Sequence, residues 1–144
     1  MQSFLLSFLL TISISCIVTT NGNSQTVVST PRAGMVGEWR YLGTVNARFT
    51  ADHDAIVVQG PYDFFRKIKF KVTGAPINLV RLIVTYDDGG LPEKIDTRFT
   101  IPAGGESRVI DLAGNRRKIR SIEFWYDTKG VLQGRANVSV VGQK

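Results

Sequence analysis

Along most of this chain, apolar and polar residues alternate with a period of two. Ile68, Phe70 and Val72, with Phe64 before them, are interleaved with Lys67, Lys69 and Lys71. Val80, Leu82, Val84 and Tyr86 repeat the alternation against Arg81 and Thr85, and Ile122, Phe124, Tyr126 and then Ala136, Val138, Val140 do so again. Successive side chains of an extended strand point to opposite faces, so this pattern describes strands with one face in a core and one in water. Shorter candidates lie at 39–45, 55–58, 97–101 and 108–112. Between them fall Gly60-Pro61, Gly74-Ala75-Pro76, Asp87-Asp88-Gly89-Gly90, Gly104-Gly105 and Asp127-Thr128-Lys129-Gly130, the residue types that tight reversals need. No window carries a helical stripe, and no gap leaves room for a crossover helix, which disfavours a parallel sheet. The pattern predicts an all-β chain: an antiparallel, jelly-roll-like β-sandwich of roughly eight or nine short strands, with a small β-barrel as the alternative.

The amino-terminal end has a different grammar. Residues 4–18 are apolar except for Ser and Thr, too short and too polar for a comfortable membrane span of about 20 residues. They read as a secretory signal over residues 1–24, with Gly22-Asn23-Ser24 as the small-x-small cleavage site and Gln25 as the new amino terminus. Residues 25–37 read as a flexible polar leader and 38–144 as one domain. Of the 144 residues a single one is cysteine, Cys16, inside the apolar stretch. Lipidation there would want Leu where Ser13 stands. With the signal removed the mature chain has no thiol, which excludes a cysteine nucleophile, thiolate metal sites and internal disulfides. Secretion without disulfides suits a bacterial envelope, so the expected location is periplasmic or secreted. Asn137-Val138-Ser139 matches a glycosylation sequon, but in a predicted strand the match is read as chance.

Two segments echo each other. Arg66-x-Ile68-x-Phe70 and Arg120-x-Ile122-x-Phe124 share a pattern, and each precedes a turn and another alternating strand. This reads either as two related hairpins, one per sheet, or as the ordinary composition of a half-exposed strand.

Chemistry is sparsely signalled. The one histidine, His53, stands between Asp52 and Asp54 in what reads as a polar turn. Flanking carboxylates could orient a general base, yet consecutive turn residues point apart and no nucleophile elbow is present. Asp52 and Asp54, joined by Asp63 or by Asp87 and Asp88, could form a calcium loop, although the later ligands of an EF-hand loop are missing. The net charge of +6 is concentrated at Lys67, Lys69, Lys71 and at Arg116, Arg117, Lys118, Arg120. If these two segments lie together, they form a basic patch for acidic polysaccharide, anionic lipid head groups or an acidic envelope protein. Nucleic acid is disfavoured by the exported location and by the absence of aromatics interleaved with the lysines. A lysine-rich strand face also serves simply to stay solvated and to block edge pairing. Trp125 points by alternation to the side of Glu123, away from Phe124, where an indole can stack on a sugar or anchor a partner. Trp39 reads as core.

Several of these segments resemble a known group. Leu42-Gly43, Arg66-x-Ile68-x-Phe70, Ile101-Pro102 ahead of Gly105, Ile110-x-Leu112, Ile122-x-Phe124 and the terminal Ala136-x-Val138-x-Val140 with Gly142 are similar to the YaaI-like family of small exported bacterial proteins. The likeness runs over most of residues 38–142 and rests on strand and turn patterns, none of them a chemical signature. It implies export and an all-β fold and leaves function blank. One such relative carries a cysteine before each echoed strand, where this chain has Asp63 and Lys118, so the resemblance implies that the two echoed strands lie close together.

The expectation is an exported, non-catalytic binding or envelope-interaction module without a cofactor. Its binding residues would be Lys67, Lys69, Lys71, Arg117, Arg120 and Trp125. The alternatives are a lectin-like domain binding calcium or glycan through Asp52 and Asp54, and a small hydrolase centred on His53.

Overall fold

The computed structural model describes residues 25–30, 35–47, 53–60, 63–127 and 135–144. Among them the chain forms ten strands and no helix. In chain order these are β1 (Thr26–Ser29), β2 (Trp39–Ala47), β3 (His53–Val58), β4 (Phe64–Phe65), β5 (Lys67–Thr73), β6 (Ile77–Tyr86), β7 (Glu93–Ile101), β8 (Ile110–Asp111), β9 (Arg117–Asp127) and β10 (Ala136–Gln143). The larger sheet runs β1-β3-β9-β6-β7, with β4 also paired to β9, and the smaller runs β2-β10-β5-β8. The two face each other as a β-sandwich, and no barrel closes.

Alternation positions each strand. In β5, Ile68, Phe70 and Val72 are fully buried while the lysines between them face solvent. In β9, Ile119, Ile122, Phe124 and Tyr126 turn inward. The two sheets meet at Phe70 and Phe124, whose rings pack edge to face at 5.3 Å, the favourable geometry for opposed ring quadrupoles. Close approach elsewhere depends on glycine. A Cβ on Gly43 would come within 2.9 Å of the Ile56 side chain across the sandwich, and one on Gly142 within 2.6 Å of the Phe65 ring.

The echoed strands therefore lie in opposite sheets, but neither begins a hairpin. β5 leads into β6 and β9 into β10, and each connection crosses from one sheet to the other. The proximity of the segments at Asp63 and Lys118 is also visible: β4 pairs with β9 at Phe64 and Lys118, and the chain then bends at Arg66 to enter the smaller sheet as β5. Asp63 instead holds the carboxy-terminal Lys144 at 2.7 Å, with both side chains largely covered.

Four local readings are corrected. Residues 26–29, expected within a flexible leader, form β1, an edge strand parallel to β3 with Val27 beside Ile56. A parallel neighbour needs no helix here, because the crossover passes through β2 in the opposite sheet. His53 and Asp54 start a strand instead of occupying a turn. Trp39 is only partly buried, on the outer face of the smaller sheet beneath the Lys69 ammonium at 4.7 Å. Val80, assigned inward with Leu82, is exposed, because the register slips between Leu79 and Arg81 and Leu79 takes the inward place. A two-residue period cannot announce where a strand inserts an extra residue.

Candidate functional site

The basic residues singled out in the sequence do not converge. Lys67, Lys69 and Lys71 stand on the outer face of the smaller sheet, whereas Trp125 stands on the outer face of the larger one, with the core between them. Arg117 and Arg120 lie beside the β6–β7 turn. Each of these cations also has a carboxylate. Lys69 and Lys71 share Glu106 at 2.7 and 3.0 Å, and Lys67 lies 3.9 Å from Asp111. Arg117 grips Asp88 through two N–H groups at 2.9 and 3.1 Å while its guanidinium covers the Tyr86 ring at 3.5 Å. Arg120 is 4.0 Å from Asp87. The hydrogen bonds from Lys69 and Lys71 hold the Glu106 carboxyl below its ordinary range, and those from Arg117 do the same for Asp88. Burial, and then the hydrogen bond to Glu93, push the Tyr86 phenol well above its usual value. These are structural ion pairs.

The metal and catalytic candidates separate for a simpler reason: neighbours on a strand face opposite ways. Asp54 is completely buried and accepts hydrogen bonds from Tyr126 Oη at 2.7 Å and from Gln25 N at 2.5 Å. That removes it from a solvent-facing calcium loop and from contact with His53, and Asp52 lies outside the described residues. Among the described residues no group of three or more metal-binding side chains assembles. His53 faces outward and stacks on Trp125, ring centroids 4.3 Å apart and planes 10° from parallel. Among the described residues the carboxylate beside it is Glu123, at 3.9 Å.

Trp125 is held from both sides. Register pairs it with His53 on β3 and with Arg81 on β6, the two strands that flank β9. The Arg81 guanidinium lies 4.1 Å from the indole centroid, a cation–π contact. Indole is therefore outward, as alternation implies, but it presents an edge and not a free face.

Next to it the sheet is irregular. Between the pairs Leu79–Phe99 and Arg81–Asp96, Val80 stands opposite two residues, Thr97 and Arg98. Thr97 turns inward and its hydroxyl donates to the Leu79 carbonyl at 3.0 Å. Arg98 takes φ of 42°, the left-handed region, and is the one non-glycine residue described there. Such bulges re-aim side chains. Here the result is a depression of about 410 Å³ lined by Val80, Arg81, Lys94, Asp96, Arg98 and Trp125. A second hollow of about 400 Å³ adjoins it across Val80 and Arg98, reaching Asn78, Phe99 and Thr100.

Arg81, Lys94 and Arg98 differ from the basic residues chosen from sequence. Among the described residues none of the three is within salt-bridge distance of a carboxylate, although Asp96 sits directly across from Arg81. Buried Arg81 Nε has no hydrogen-bond acceptor. Reading along the chain missed these residues because they are scattered, and only the bulge and the pairing of β6 with β7 and β9 collect them.

A family model described as a domain of unknown function, DUF2541, matches residues 5–142. The chain belongs to the DUF2541 family. Membership in the family spans both the amino-terminal apolar stretch and the sandwich, and it brings no assigned chemistry. No curated protein and no solved structure matches the chain.

Proposed function

We propose that the protein is an exported, non-catalytic binding module that takes an acidic polysaccharide on the outer face of its larger sheet. The observation that carries the reading is the trio Arg81, Lys94 and Arg98, which line one depression and, among the described residues, lie beyond salt-bridge distance of any carboxylate, whereas Lys67, Lys69, Lys71, Arg117 and Arg120 each have one. A guanidinium without an anion on a protein surface favours a carboxylate-bearing ligand through charge-assisted, often bidentate hydrogen bonds. A hollow with a bulged rim fits a sugar unit better than a flat lipid surface. Asp96, Asn78 and Thr100 supply groups that can meet hydroxyls, and the neighbouring hollow extends the track. The reading includes no catalytic step, since His53 is stacked on Trp125 and Asp54 is turned to the core.

Trp125 makes the test direct, because the chain has only two tryptophans and Arg81 sits on this one. Titration with polyuronate oligosaccharides should change tryptophan emission and saturate, and neutral oligosaccharides should not. The affinity should fall steeply with added salt. Arg81→Ala or Arg98→Ala should weaken binding by about tenfold or more, the scale of a lost charged hydrogen bond, while Lys69→Ala leaves it unchanged. Binding to anionic vesicles but not to polyuronates would move the reading to a lipid surface. Equal loss on Lys69→Ala would remove the depression as the site.

A further inference from the structure

Gln25 is held more tightly than a chain leader requires. Its backbone N–H donates to Asp54 Oδ1 at 2.5 Å, its carbonyl accepts from Ala55 N at 2.9 Å, and its side-chain amide donates to the Asn46 carbonyl. Asp54 has no solvent exposure and also accepts from the buried Tyr126 hydroxyl. A buried carboxylate is costly unless charge or several hydrogen bonds compensate it. The nitrogen that meets it belongs to the first residue after Gly22-Asn23-Ser24, where the sequence spells a small-x-small cleavage site behind an apolar stretch.

We infer that the chain is processed between Ser24 and Gln25 and that the α-ammonium freed on Gln25 pairs with Asp54 through Oδ1. Hydrolysis adds one water to the Ser24–Gln25 amide: Ser24 leaves as a carboxylate and Gln25 keeps its nitrogen, which takes up a proton. The enzyme required is an endopeptidase accepting small residues at the first and third positions before the cut. An α-amine with an ordinary pKa of about 7.7–8.0 is mostly charged at neutral pH. In place of a peptide N–H it turns a hydrogen bond to a carboxylate into an ion pair, adding the attraction of opposite charges in a water-poor site. β1 pairs with β3 in the full chain, so what processing adds is the charge on the Gln25 nitrogen. Docking also holds the α-amine on Asp54 and the side-chain amide on Asn46, which keeps the amine from attacking Cδ and expelling ammonia to form pyroglutamate.

The test begins with the full chain expressed in a Gram-negative host and the mass and terminal sequence of the exported product. The expected product starts at Gln25 with a free amine. A product that is uncut, cut elsewhere or closed to pyroglutamate overturns the inference. The second arm compares the Gln25 chain with the same chain acetylated at Gln25 and with one that retains Ser24. Both blocked forms should unfold about fivefold or more readily at a given denaturant concentration, since each replaces the ammonium of a buried ion pair by a neutral N–H. In Asp54→Asn that difference should vanish, and if it persists, or if blocking changes nothing in the parent chain, the pairing is refuted. Should Asp54→Asn fail to fold, the acetylated and Ser24 chains decide alone.

Discussion

Arg98 occupies a backbone conformation that costs a residue with a Cβ about 1–2 kcal/mol relative to the right-handed region, and it does so on the rim of the candidate site. Strain of this kind persists where the surroundings over-determine it. Glycine accepts the same φ freely, so Arg98→Gly should unfold at a denaturant concentration no lower than the parent, while its affinity for polyuronate drops. A clear loss of stability in that variant would show that the Arg98 side chain supports the bulge. Gly142 presents the opposite case. The Phe65 ring fills the space a Cβ would need, and Phe65 is fully buried, with no room to retreat. Gly142→Ala should therefore cost about 1–3 kcal/mol, the range for overpacking a core, read from a denaturation midpoint. At this scale the sequence was partly legible. Alternation correctly turned Trp125 outward, but the covering of both its faces by His53 and Arg81 needed two other strands.

Strand types and most strand positions could be read from period and punctuation, because each is a local property. Their ends and slips could not. The segment at 97–101 begins four residues earlier, at Glu93, and that at 108–112 contracts to Ile110–Asp111, since pairing partners determine where a strand stops. β1 was missed because four residues of an edge strand leave no periodic signal. Ion pairing between elements is equally invisible along the chain, and Glu106, which reaches β5 through an isolated bridge to Lys71, shows its consequence. Its carboxyl is held below the ordinary value by the two lysines. A depressed carboxyl contributes stability that is complete above its unfolded pKa, near about 4.3, and is lost as pH falls through the folded value. Glu106→Gln should thus lower the melting temperature slightly at neutral pH, as exposed pairs do. The gap should close on acidification below about pH 4. A gap that stays constant down to about pH 2 would mean that the lysine contacts are not what Glu106 contributes.

At the scale of the molecule, the sandwich is closed by contacts between residues far apart in sequence. The two echoed phenylalanines meet at its centre, Phe70 from the smaller sheet and Phe124 from the larger. Each truncation to Ala should cost about 3–5 kcal/mol. The double variant should lose less than the sum, because residues in contact share an interaction that can be removed only once. Additive losses in a denaturation cycle would mean that the two sheets pack independently at this point. The placement of the charged groups follows from the same topology. β5 and β9 look like copies in one dimension, yet they enter opposite sheets, so their basic residues face away from each other.

The sequence by itself determined that this is an all-β chain and, for most strands, which side chains face the core. Those properties depend on a two-residue period and on the conformational preferences of glycine, proline and aspartate, all short-range. Only the tertiary structure decided which cations find carboxylates and which remain available around Trp125. Coulombic and cation–π partners are chosen by distance in space, and here that distance is set by strand order and by one bulge, neither of which alternation encodes.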